Sequence, residues 1–306
     1  MKRLHPIVGL SVSLVGLAAA SAADVTEPAR FHAVEDVVYG NKDGLGLTLD
    51  VLTPDSGAKG IGVIIVSSGS FKSAKSNVLA DEQKRRDREH WIQGLLSGGY
   101  TVFVVRHGSA PRYFVPEMIE DIRRSVRFVR ANAARFQIDP NRLVITSGSS
   151  GGNLALMVGL TPDDGVADSP DPVQRESSRV QAVVAWFPPT DLINWGMPEG
   201  YKTLDKLRPG LLKSFFGEIT DLEKQLKSIS PIEQVTADDP PLLLIHGDRD
   251  LTVPVQQSRI MKDKYEQAGL KVELIVHPGG GHTTWPGIIN EYPAVWAFLD
   301  KHLKNP

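Results

Sequence analysis

The stretch RLVITSGSSGGNLALMVGL, Arg142 to Leu160, places a cluster of small residues between two apolar runs. The first run, Leu143–Thr146, is short and β-branched, as a buried strand is. The second opens with Leu154, Ala155, Leu156, Met157 and Val158 and reads as an apolar helix. A Gly/Ser cluster by itself is a flexible spacer. Strand, Gly-x-Ser-x-Gly and helix in succession is instead a strained turn with an exposed serine at its apex, the nucleophile elbow. Gly148-Ser149-Ser150-Gly151-Gly152 fits that pattern with Ser150 at its centre. Centring on Ser149 would require glycine at position 147, which is a serine. Ser150 is therefore the expected nucleophile. Residues without bulk are needed around it, because strand and helix nearly touch there, and the helix N-terminus favours developing negative charge.

Similar apolar runs recur along the chain. GIGVIIVSSG, YTVFVVRHG, VQAVVAWFPP, PLLLIHGD and KVELIVHPGG are continuous, Val/Ile/Leu-rich and closed by Gly, Pro, Ser or Asp. Continuous runs belong to strands buried on both faces, hence to a parallel sheet covered by helices. Two earlier segments, AVEDVVYG and LGLTLDVLTP, suit an antiparallel edge pair, and Leu45, Leu47, Leu49 and Val51 alternate as a half-buried strand does. Between Pro116 and Phe136, the residues Met118, Ile122, Val126, Val129 and Ala133 form one helical stripe. Arg123, Arg127 and Arg130 fall on another face, read as solvated. The alternation predicts an α/β fold, a mostly parallel central sheet with helices on both faces. Residues 190–228 lack a strong strand but hold Trp195, Phe215 and Phe216, and a helix is expected around Leu207–Phe216. This segment is read as a small cap inserted over the sheet's carboxyl edge.

A serine hydroxyl needs a base, and the base an orienting acid. In this chain order both should follow the serine, at later strand ends. Asp248 and Asp250 lie just past PLLLIHG, and His277 and His282 lie in or after KVELIVHPGGGH. The loop of three glycines leaves His282 free to reach the serine.

From about Asn41 onward the chain resembles α/β-hydrolase serine esterases of the hormone-sensitive-lipase-like and bacterial feruloyl and acetyl (xylan) esterase groups. FVRANAARFQIDPNRLVITSGSSGGNLAL is similar to their nucleophile region, HGDRDLTVPVQQS to their acid region and GGGH to their histidine loop. The resemblance implies the α/β-hydrolase fold, Asp250 as acid, His282 as base, and ester hydrolysis through an acyl-enzyme without metal or organic cofactor. The amide after the nucleophile, Gly151, is expected to face the oxyanion. Relatives carry His-Gly-Gly-Gly-Trp after the first buried strand, where this chain has Ser67 to Phe71, SSGSF. If Phe71 stands for the tryptophan, Gly69 and Ser70 supply the remaining amides. Where relatives often read Asp-Tyr-Arg-Leu-Ala-Pro, this chain has RHGSAP, Arg106 to Pro111. Phe71, Trp195 and Phe215 are expected to line an aromatic acyl pocket.

At 306 residues, 41% of them hydrophobic, the chain can bury a sizeable core. A formal charge of −2 points away from nucleic acid. The absence of cysteine excludes disulfides, thiol nucleophiles and cysteine-bound metals. Basic MKRLH, the apolar run that follows it and Ala20–Ala22 have the order of a signal peptide, with cleavage near Ala22 and one hydrolase domain over residues 23–306. The apolar run is short of the roughly 20 residues that span a bilayer, so no membrane anchor is expected after cleavage. Secretion or a periplasmic location follows, with small-molecule or polysaccharide-linked esters as substrates. Two other readings are a prolyl-oligopeptidase-type peptidase, which shares the HGDRD spacing, and a non-catalytic binding protein on a hydrolase fold.

Overall fold

The computed structural model describes residues 30–74, 91–196, 211–283, 285 and 287–303. The expected signal peptide, residues 1–22, and residues 197–210 of the expected cap lie outside them.

The predicted edge pair is β1 (Phe31–Lys42) and β2 (Leu45–Pro54), antiparallel to each other. The continuous apolar runs become β3 (Ile61–Val66), β4 (Tyr100–Val105), β5 (Leu143–Gly148), β6 (Ala182–Trp186), β7 (Leu242–Gly247) and β8 (Val272–His277). All eight join one sheet in the order β1-β2-β4-β3-β5-β6-β7-β8, and every pairing from β4 to β8 is parallel. The helices are α1 (Val115–Ala131), α2 (Ser149–Leu160), α3 (Leu211–Phe216), α4 (Leu222–Ser228), α5 (Gln256–Gln267) and α6 (Tyr292–Leu303), and residues 91–97 are also helical.

Neighbouring strand residues go to opposite cores, which is why the runs are apolar without a break. Ile64, Ile145, Val183 and Leu244 pack with Met118 and Ile122 of α1, Leu154 of α2 and Met261 of α5. Val63, Val144, Val184 and Leu243 pack with Leu95, Leu96 and with Val295, Phe298 and Leu299 of α6. The stripe on α1 is as expected: Met118, Ile122, Val126 and Val129 are fully buried.

Its arginine face is not solvated. Arg123 donates to Thr161 Oγ1 and pairs with Glu120, Arg127 meets Asp163 at 2.8 Å, and Arg130 donates to the carbonyls of Ser177 and Arg179. Arg124, one position on from Arg123, adds a contact to Asp171 at 2.7 Å. The row clamps the irregular 161–179 connection onto the helix. Its partners there lie some forty residues away in sequence, so helical periodicity alone could not reveal them.

Arg106, part of the departure from the common pattern, is structural. Its guanidinium is bidentate to Asp50 at 2.7 and 2.8 Å and reaches Thr48 at 3.0 Å, joining β4 to β2. Asp50 is fully buried. Arg106→Ala is therefore expected to cost about 3–5 kcal/mol, because it removes the bidentate cation that pairs a buried carboxylate; urea denaturation measures it.

β3 lies between β4 and β5, so the chain leaves β3 toward one side and later returns to the other. Such a switch point opens a crevice at the strands' carboxyl ends. The loop after β3 and the turn after β5 meet there, and the loops after β7 and β8 adjoin them.

Candidate active site

β5 runs to Gly148, which still pairs with Trp186 of β6, and the backbone then reverses into α2. Ser149 takes the reversal with φ +55°, a left-handed conformation unusual for a residue with a Cβ. Its Oγ lies 2.9 Å from His282 Nε2. His282 Nδ1 lies 2.6 Å from Asp250 Oδ2. Because Nδ1 faces a carboxylate, it carries the ring proton, and Nε2 is left to accept from the serine hydroxyl. Ser149 is half-buried and within reach of a substrate, whereas Ser150 is only 4% exposed.

The expectation of Ser150 as the histidine's partner is thereby corrected: the structure brings Ser149 to His282. The physical reason lies at position 147. Ser147 Oγ donates to the Val66 carbonyl of β3 at 2.7 Å and so fits where glycine was expected. The close strand–helix approach is accommodated by Gly151 instead, where a Cβ would lie 2.2 Å from Ser147 Oγ and 2.9 Å from Ser68 Cβ. Gly148 is small for another reason, since a Cβ there would meet the Phe187 ring at 2.7 Å. That ring also stands edge-on to His282, centroids 5.0 Å apart, and fixes the imidazole's plane. Sequence reading did not single out Phe187; its place directly after β6, beside the elbow strand, was the available signal.

Asp250 sits where expected. Its Oδ1 accepts from the Thr252 and Val253 amides, both at 2.8 Å, and its Oδ2 lies 3.4 Å from His246 Nε2. Burial opposes its charge, but hydrogen bonds from His246, His282 and the Val253 amide outweigh burial and hold the carboxyl well below the usual carboxylate range. Fully buried His246 is itself pinned between Ser258 Oγ, at 2.7 Å, and the Val253 carbonyl, at 2.8 Å. Asp248 accepts from the Gly279 amide at 2.6 Å, tying the acid loop to the histidine loop. His277 stacks on Trp285 and pairs with Glu291 at 2.8 Å. Neither residue joins the serine.

The loop after β3 turns through three residues of positive φ, Gly69 at 142°, Ser70 at 56° and Phe71 at 59°. The Gly69 amide donates to Ser150 Oγ at 3.3 Å and the Phe71 amide at 3.0 Å. Gly151 does not offer its amide to the crevice but donates to Ser68 Oγ at 3.2 Å. With Ser149 at the apex, the amide that follows the hydroxyl is that of Ser150, not Gly151. Among the described residues, the Ser70 and Ser150 amides have no acceptor. His107 of the RHGSAP segment is buried against the Ser67 carbonyl at 3.2 Å and props this loop, with burial lowering its pKa. Of the expected pocket residues, Phe71 and Phe215 meet edge to face at 4.8 Å, and Trp195 is buried in the same apolar cluster.

An eight-stranded, mostly parallel sheet, a strand–serine–helix turn and a His–Asp pair on successive later strands define an α/β-hydrolase fold. The chain belongs to the BD-FAE family, which it matches over residues 49–265. It is 29% identical over 192 residues to Esterase LipC of Mycobacterium tuberculosis, covering 62% of this chain and 47% of that protein. It is 24% identical over 262 residues to the isoprenylcysteine alpha-carbonyl methylesterase ICME of Arabidopsis thaliana, covering 81% of this chain and 56% of that protein. The chain thus spans about half the length of these curated relatives. Among solved structures, a truncated carbohydrate esterase from gut microbiota is 27% identical with a TM-score of 0.72, covering 91% of this chain and 99% of that one.

Proposed function

We propose that the protein is a carboxylic ester hydrolase that works through a Ser149 acyl-enzyme. The observation that carries this reading is the continuous contact Ser149 Oγ–His282 Nε2–His282 Nδ1–Asp250, at 2.9 and 2.6 Å. His282 Nε2 takes the Ser149 proton as Oγ attacks the ester carbonyl. The Ser70 and Ser150 amides receive the oxyanion, and the buried Asp250 carboxylate stabilises the imidazolium. His282 then gives its proton to the departing alkoxide, and a water repeats the sequence to release the acid.

The family membership and the esterase names of the relatives support ester substrates. The likeness to a carbohydrate esterase supports an ester carried on carbohydrate. The resemblance of the nucleophile, acid and histidine segments to feruloyl and acetyl esterases narrows the acyl group to those two, with Phe71 and Phe215 at the acyl end. The basic–apolar–small order of residues 1–22 supports export, with a mature chain beginning at Ala23. A panel of p-nitrophenyl esters of increasing acyl length, methyl ferulate and acetylated xylan tests the substrate class. Turnover of acetyl and feruloyl esters is expected, and activity restricted to peptides would reject it. N-terminal sequencing of exported protein checks the cleavage site.

A further inference from the structure

Once Ser149 holds the histidine, the Ser150 hydroxyl has no chemical task, yet every one of its hydrogen-bonding positions is taken. Its Oγ accepts from the Gly69 amide at 3.3 Å and from the Phe71 amide at 3.0 Å, and it lies 3.3 Å from Ser68 Oγ. Ser68 Oγ in turn donates to the Gly148 carbonyl at 2.6 Å and accepts from the Gly151 amide at 3.2 Å. The directions follow from counting protons. The single proton of Ser68 goes to Gly148, so the Ser150 proton goes to Ser68. Each hydroxyl then donates once and accepts twice, which is the whole capacity of a serine. A polar network satisfied to this degree rigidifies what it joins.

What it joins is the elbow and the loop after β3. Two amides two residues apart that converge on one acceptor form a concavity of the kind that binds anions. Here a neutral hydroxyl from the elbow fills it. The residue between them, Ser70, and the next, Phe71, both adopt left-handed backbone although neither is glycine. Such a turn is costly for residues with a Cβ and persists only where its surroundings hold it.

Resting on the assignment of Ser149 as nucleophile, we propose that Ser68 and Ser150 form a two-hydroxyl clamp that holds this left-handed turn and keeps the Ser70 amide aimed at the acyl oxygen. Ser150 is a positioning residue. The clamp does what a glycine triplet would otherwise do by intrinsic backbone freedom. A different role, with the Ser150 hydroxyl blocking the oxyanion site until substrate displaces it, fits poorly. Leaving the site would strip two amides and Ser68 of their partner, and the side chain is buried.

Steady-state kinetics of Ser150→Ala and Ser68→Ala with p-nitrophenyl acetate, paired with inhibition by a trifluoromethyl ketone, tests the clamp. The ketone forms a tetrahedral adduct and reports the oxyanion site directly. Each variant is expected to lose about 10- to 100-fold in kcat, less than the removal of an oxyanion donor outright. KM should change by less than about threefold, with the ketone's Ki weakening in step with kcat/KM. The double variant should be no worse than the poorer single one, because the two hydroxyls act as a unit. Thermal melting identifies a variant that fails to fold, and the other, on a different element, then carries the test. Rates at or above wild type with unchanged ketone affinity would overturn the clamp, and a gain in rate would favour the blocking role. Fluorophosphonate labelling with peptide mapping separates this failure from that of the underlying assignment. An adduct on Ser149 in both wild type and Ser150→Ala keeps the assignment whatever the rates, whereas an adduct on Ser150 removes both.

Discussion

Ser149→Ala is expected to lower kcat for p-nitrophenyl acetate by about a millionfold, leaving only the residual acceleration that binding and the oxyanion amides supply. The expectation rests on accessibility as well as distance. Of the two serines it is Ser149 whose Oγ meets His282, and it is half-buried at the crevice while its neighbour is enclosed. Stability should change little, because alanine removes no packed atoms beyond one oxygen and keeps the Cβ that the turn already accommodates. Thermal melting of the variant checks that the loss is chemical. Labelling with a fluorophosphonate should disappear in Ser149→Ala. Activity within a hundredfold of wild type, with a folded variant, would remove Ser149 from the reaction.

That the serine next door was the better reading from sequence has a definite cause. Both Gly151 and Gly152 are present, so the second half of Gly-x-Ser-x-Gly fits either register, and only positions 147 and 148 distinguish them. The outcome at position 147 depends on the Val66 carbonyl, a partner on another strand, which lets a serine lodge where glycine is usual. The acid and the histidine were legible for the opposite reason. Asp250 is fixed by local spacing after β7, and His282 by the glycines that free its loop. The sheet was legible because burial on both faces writes itself as unbroken apolar runs, with strand boundaries at Gly, Pro and Ser. The arginine row on α1 was not. A charge's partner on a distant loop leaves no periodic trace, so a clamp and a solvated face look alike in the sequence. The loop after β3 was legible in place but not in its bonding, since its Gly69 and Phe71 amides meet a hydroxyl, Ser150's, from an element about eighty residues later.

Asp250→Asn should preserve the shape of the site and still lower kcat by about 10⁴-fold at neutral pH. The Asp250 carboxylate only accepts, so it fixes the ring proton of His282 on Nδ1. An asparagine can turn its amide N–H toward Nδ1, which places the proton on Nε2, facing Ser149, where a base is needed. The same substitution has a pH signature in stability. The folded carboxyl is held below its unfolded value, so its contribution is full above about pH 4, declines as pH falls further and vanishes below the folded pKa. The variant has no such group, so the Tm gap between wild type and Asp250→Asn should be widest at pH 5–7, on the order of the plateau, and should narrow toward pH 3. A gap that stays constant over that range would mean that Asp250 is not held ionised by its histidines. A kcat within about tenfold of wild type would mean that it does not set the tautomer of His282.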